Sequence, residues 1–191
     1  LQKSDSSGVR VETGENLIQG IKTTVNDQGL LEISNDNTCD WARDYDNLLN
    51  VYVYYNKIDS ISYRSIGNIT NIDTLRADSL NIDVFEGAGD IDLDINVDKL
   101  FCAIHNGTAD INLAGFAGVS YVYSASFGLI DNSNLSCSHI YANNRSSNNI
   151  FLNANNTLEV IIENIGDIYY RGDPVNIQLN KLGSGNLIKM N

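Results

Sequence analysis

The stretch Gly89-Asp-Ile-Asp-Leu-Asp-Ile-Asn-Val-Asp98 decides how this chain is read. Ile91, Leu93, Ile95 and Val97 alternate without a fault against Asp90, Asp92, Asp94, Asn96 and Asp98. Successive side chains of a strand point to opposite sides, so this pattern predicts a half-buried β-strand with one apolar and one wet, acidic face.

Working outward, the same opening recurs: Gly67-Asn-Ile, Gly89-Asp-Ile, Ala109-Asp-Ile, Asn149-Ile-Phe-Leu and Gly166-Asp-Ile. Units begin near Gly67, Gly89, Gly107, Gly128, Asn148 and Gly166, at intervals of 22, 18, 21, 20 and 18 residues. Repeats of this length, built of alternating strands between Gly or Asn turns, are the signature of a solenoid. No helical periodicity competes, and the period suits one coil of a β-helix. The expected fold is all-β, a right-handed parallel β-helix-like solenoid with rungs of about 20 residues. The expected inward set is Ile69, Ile72, Leu80, Ile82, Ile91, Leu93, Ile95, Ile111, Leu113, Val119, Ile150, Leu152, Leu158, Val160, Ile162 and Ile168. Gly115, Gly118 and Gly128 are expected at corners.

Toward the N-terminus, residues 1–8 are polar and expected to be disordered, with a single domain over 9–191. Its opening strands and a Trp41 plug occupy 9–57, and its rungs 58–191. Asn16–Val25 reads as a strand bent at Gly20, Leu30–Ser34 as a short strand and Leu49–Tyr55 as a strong one. Trp41, two residues from Cys39 and two from Arg43, is expected to plug one end of the sheet; a ligand platform is the other reading. Toward the C-terminus, Gly172-Asp-Pro174 is a turn, Val175, Ile177 and Leu179 alternate, and Leu187-Ile-Lys189 closes the chain.

The 191 residues carry 24 acidic against 12 basic side chains, a formal net charge of −12. That balance argues against nucleic acid and against an electrostatic anchor on anionic lipid, both of which require a cationic face. No run of about 20 apolar residues is present, so no membrane-spanning helix is expected. The three cysteines, Cys39, Cys102 and Cys137, fit no zinc or CxxC spacing and read as buried structural thiols.

The chemistry-bearing patterns are sparse. Asp90, Asp92, Asp94 and Asp98 suggest calcium, but the glycine and the bidentate glutamate of a wrapping loop are missing, so no metal site is expected. Whether any ion touches the Asp90–Asp98 face stays open. His105 and His139 lack metal-ligand spacing. No G-x-S-x-G elbow supports a serine nucleophile. Arg145 and Arg171 suit a lyase but are not placed beside an acid by the sequence. No catalytic residue and no cofactor is assigned. The tyrosines are different. They cluster at Tyr52, Tyr54 and Tyr55, at Tyr121 and Tyr123, at Tyr141, and at Tyr169 and Tyr170, and outward rings on successive rungs can stack into a strip that contacts sugars or proteins. Tyr121, Tyr123, Tyr169 and Tyr170 are the candidate binding residues, with cross-strand packing as the alternative role.

The opening segments Asn16–Lys22, Leu31–Asn35 and Asn37–Tyr45, with the closing Leu158-Glu-Val160, Gly166–Pro174 and Gly183-Ser-Gly185, resemble the "putative auto-transporter adhesin, head GIN domain" family. The likeness covers residues 9–189, apart from Asn164-Ile165, where the family has a Ser-Gly corner. It implies an exported β-helix-like module of a Bacteroidetes-type cell envelope, periplasmic or on the outer-membrane surface, with a lipid anchor carried by an upstream segment. The implied partner is a glycan, an envelope protein or another copy of the chain. The alternatives are a carbohydrate-active β-helix enzyme, of polysaccharide lyase or glycosidase type, and a structural spacer.

Overall fold

A computed structural model describes residues 1–37 and 49–190. Among these, the chain divides into two compact units, Leu1–Asn56 and Lys57–Asn191.

In the first unit, β1 (Gln2–Lys3), β2 (Gly8–Glu12) and β5 (Asn50–Tyr55) form a three-stranded sheet with β5 in the middle. Gln2 and Lys3 pair with Tyr54 and Tyr55, so residues expected to fray carry a short parallel ladder. A hairpin joins β3 (Ile21–Val25) to β4 (Leu31–Asn35). Asn26 closes its turn by accepting the N–H groups of Gln28 and Leu30 on Oδ1, each at 3.0 Å. The segment Asn16–Val25 is not one bent strand. It begins in a helical turn, α1 (Glu15–Ile18), after Gly14, and becomes extended only at Ile21. Trp41, Cys39 and the expected plug lie outside the described residues.

The second unit is a parallel β-solenoid. Its strands are β6 (Ser60–Tyr63), β7 (Ile69–Thr70), β8 (Leu75–Gly87), β9 (Asp90–Gly107), β10 (Asp110–Ser124), β11 (Ile130–Asn144), β12 (Ile150–Ile162), β13 (Ile168–Arg171), β14 (Asn176–Lys181) and β15 (Leu187–Lys189). Every pairing among them is parallel. Each full rung has two arms. Both arms remain extended through the corner in β9 and β10, whereas the last rung splits them, β13 pairing with the start of β12 and β14 with its end.

The alternation resets at each corner. Val97 and Leu100 are both buried, with Asp98 and Lys99 exposed between them; Ala117 and Ser120, then Cys137 and Ile140, repeat this step of three. Val119 consequently sits at a corner in register with Lys99 and His139, half-buried rather than inward. Ile72 is also a correction. It lies in the bend between β7 and β8, flanked by Asn71 and Asp73, and is 69% exposed.

On the first arm, register stacks Ile69, Ile91, Ile111, Ile130, Ile150, Ile168 and Leu187 into one inward column. The residues just before this column explain the recurring motif. Asn68 Oδ1 accepts the N–H of Asp90 (3.0 Å), Asp110 Oδ1 that of Leu129 (2.7 Å), Asn149 Oδ1 that of Asp167 (3.0 Å), and Asp167 Oδ1 that of Asn186 (2.7 Å). Each Asn or Asp thus caps the entrance of the following rung, satisfying a donor that the ladder leaves free. The glycine beside such a cap can be steric: a Cβ on Gly166, just before Asp167, would collide with the carbonyl of Asn148 one rung back. Gly115 turns its corner at φ +105, a conformation open to glycine and costly for other residues.

The second arm has a mixed interior. Leu80, Leu100, Ser120, Ile140 and Leu158 form one inward column, and Val84, Ile104, Ser124, Asn144 and Ile162 another. Asn144 is fully engaged: its Oδ1 accepts from the Ser146 N–H (3.0 Å) and hydroxyl (2.8 Å), and its Nδ2 donates to the Asn148 carbonyl (3.0 Å). Ser120 and Ser124 are 1% exposed; the Ser120 hydroxyl has the Cys137 thiol beside it, and the Ser124 hydroxyl has no hydrogen-bond partner.

Candidate binding face

Outward positions on the second arm form two columns that cross the strands. Register places Asn81, Phe101, Tyr121, Tyr141, Glu159 and Gln178 in one, and Asp83, Ala103, Tyr123, Asn143, Ile161 and Asn180 in the other. Members of the two columns are two residues apart on each strand, and the gap between them is a groove of about 620 Å³. Phe101 and Tyr121 stack with centroids 4.8 Å apart and planes 8° from parallel; Tyr121 and Tyr141 follow at 5.2 Å and 16°. Aromatic carbons touch at about 3.5–4.0 Å, so near-parallel rings at these spacings lie offset, like shingles. Each leaves part of its edge and face uncovered, and Phe101 and Tyr121 are both 42% exposed.

A second chain of contacts runs beside the groove. The Arg64 guanidinium lies 4.6 Å from the Phe85 ring centroid, and Phe85 stacks on His105 at 4.6 Å. His105 Nε2 meets Asp83 Oδ1 at 2.9 Å and its ring tilts against Tyr123 at 5.6 Å. Arg145 donates to the Tyr123 hydroxyl at 3.4 Å and pairs with Glu163 at 3.2 Å. The arginine that the sequence left without an acid therefore has one. The pair is exposed, and such surface pairs contribute little stability.

The four candidate tyrosines do not share one face. Tyr121 and Tyr123 are neighbours on the second arm. Tyr169 lies on the first arm, stacked on Phe151 at 5.1 Å, and Tyr170 is in register with the buried Leu152. The sequence reading groups Tyr141 with Tyr121 and Tyr123 and misses Phe101 as their companion. The 20-residue spacing of positions 101, 121 and 141 was the available signal.

The outward face of the first arm is a polar ladder. Asn112 Nδ2 donates to Asp92 Oδ1 at 2.8 Å, the Thr74 hydroxyl donates to Asp94 Oδ2 at 2.8 Å, and Asn71 Oδ1 accepts the N–H of Asp94 at 3.0 Å. Among the described residues, no three His, Cys, Asp or Glu side chains converge as metal ligands would. Cys102 and Cys137 are 1% exposed, and burial pushes both thiols up to about 12. Asn132 beside Cys102 and Ser120 beside Cys137 oppose that rise only in part. Among the described residues no helix is long and apolar enough to cross a membrane.

Parallel rungs, a common inward frame and two dissimilar outer ladders define a β-solenoid module. The chain belongs to the family described as "Putative auto-transporter adhesin, head GIN domain", whose model matches residues 1–174. Its fold is that of several solved structures. A putative adhesin from Bacteroides fragilis superposes with a TM-score of 0.88 at 22% identity, covering 99% of this chain and 86% of that one. A putative lipid binding protein from Parabacteroides distasonis gives 0.74 at 18%, covering 100% and 87%. A putative adhesin from the same species gives 0.74 at 19%, covering 99% and 87%. The search among curated proteins found no match.

Proposed function

We propose that this protein is a non-enzymatic, exported module of a bacterial cell envelope that binds a glycan or a protein through a rigid solenoid face. The observation that carries this reading is the aligned row Phe101–Tyr121–Tyr141 beside an open groove. Rings held by cross-rung packing are ordered before a ligand arrives, so little conformational entropy remains to be lost on binding. Aromatic anchors dominate interfaces of this kind, and scattered exposed carboxylates add little each. The family description and the adhesins among its structural relatives agree with an attachment role. Tyr121 and Tyr123 are its binding residues on the second arm; Tyr169 and Tyr170 are a separate candidate pair at the last rungs.

The test combines a glycan array with pull-downs from envelope fractions, repeated on Tyr121→Ala/Tyr123→Ala and Tyr169→Ala/Tyr170→Ala variants that keep the wild-type melting temperature. Loss of capture in the first variant alone is the expected result. Capture unchanged in both variants would make the tyrosines packing residues, and turnover of a polysaccharide would make the protein an enzyme.

A further inference from the structure

We infer that the groove between the two second-arm columns takes a neutral, linear polysaccharide, lying along the solenoid axis and across the strands. This rests on the binding reading above and names its ligand. One wall carries the shingled rings of Phe101, Tyr121 and Tyr141; the other runs from Asp83 past the small Ala103 to Tyr123 and Asn143. Beyond Tyr141 the ring wall continues as Glu159 and Gln178, and the second as Ile161 and Asn180. Ring edges with planar amide and carboxylate acceptors match a sugar chain, which alternates apolar C–H surface with hydroxyl donors.

Other occupants fit worse. The groove floor is strand backbone already paired on both sides within the parallel sheet, so an added peptide strand finds no free ladder groups there. An acyl chain would strip water from Glu159, Gln178 and Asn180 and give them no partner in return. An anionic polymer would meet two carboxylates, Asp83 and Glu159, with no cationic side chain in the lining. From Phe101 to Gln178 the groove crosses five rungs in register. Strands lie about 4.8 Å apart, giving about 19 Å, the length of about four pyranose residues.

The experiment is calorimetric titration of the full chain with neutral linear hexose oligosaccharides of several linkages, two to six residues long, and with oligouronates of matched length. For at least one linkage, affinity is expected to rise about tenfold between two and four residues and then level off. The matched oligouronate should bind about tenfold more weakly, with the gap closing as salt is raised. Ala103→Trp, which fills the groove without removing a contact, should abolish binding. Gln178→Ala/Asn180→Ala should remove the length dependence, because both side chains are exposed and their loss leaves the core intact. Neutral-sugar binding that survives Ala103→Trp at wild-type melting temperature would overturn the inference and leave the adhesive reading standing. So would tighter binding of the oligouronates, or a protein ligand captured when every neutral sugar fails. A chain that captures no glycan and no envelope component would overturn both.

Discussion

Two inward columns of the same solenoid solve the interior differently. The first-arm column is Ile69, Ile91, Ile111, Ile130, Ile150, Ile168 and Leu187, apolar from end to end. The second-arm column Val84, Ile104, Ser124, Asn144 and Ile162 turns polar at its centre. Repetition therefore fixes which positions face inward and does not fix what fills them. A polar residue survives inside where, like Asn144, it replaces lost water with protein partners. Ser124, one rung away, has none.

The largest expected effect tests the apolar rule itself. Leu93→Asp buries an unpaired charge and should cost several kcal/mol, enough to lose the cooperative melt. Asp92→Asn, one residue away on the wet face, should leave the melting temperature within about a degree, since its amide oxygen still accepts from Asn112. Equal shifts for the two would break the assignment of faces.

The buried thiols come next. With folded values near 12 against an ordinary 9, the neutral thiol is the form that folding favours. Their contribution is complete below pH 9 and is lost as pH rises toward 12, because the unfolded chain ionises first. Between pH 9 and pH 10.5 the loss is at most about 2 kcal/mol per thiol. Urea midpoints at pH 8 and pH 10.5 should fall further for wild type than for Cys102→Ala/Cys137→Ala; parallel declines would show the thiols reach water.

The last two sharpen the contrast between Asn144 and Ser124. Asn144→Ala should cost about 1–3 kcal/mol, because Ser146 and the Asn148 carbonyl lose a buried partner. Ser124→Ala should shift stability by less than about 1 kcal/mol and toward greater stability, since it removes an unsatisfied hydroxyl. Denaturant midpoints of the pair measure both. A destabilised Ser124→Ala would mean the hydroxyl has a partner in solution.

Much of this was legible in the sequence. Strict alternation in Asp90–Asp98 located a strand, and the recurring Asn/Asp-Ile motif located the rungs, because an inward isoleucine recurs on all but the last rung and an Asx cap precedes it at four of the six junctions. What stayed hidden has one cause. At a corner two inward positions stand three apart, as Val97 and Leu100 do, and a period-two pattern carries no mark of where its phase slips. Val119 was misplaced for that reason, and Ile72 because the chain leaves the sheet at Asn71–Asp73. The ring column was partly visible: Tyr121, Tyr123 and Tyr141 stand out in the sequence, whereas Phe101 becomes their companion only once register is known.

The Asx caps also make length an adjustable property. At four of the six junctions a rung brings the side chain that seals the entrance of the next, so most rungs join through the same kind of coupling. A solenoid joined in this way tolerates gain or loss of whole turns better than insertion of one or two residues, because only a whole turn returns the coupling to its starting phase. Descendants of such a chain differ most readily in reach: one more turn lengthens the row of outward side chains by about 4.8 Å and leaves every existing joint as it was.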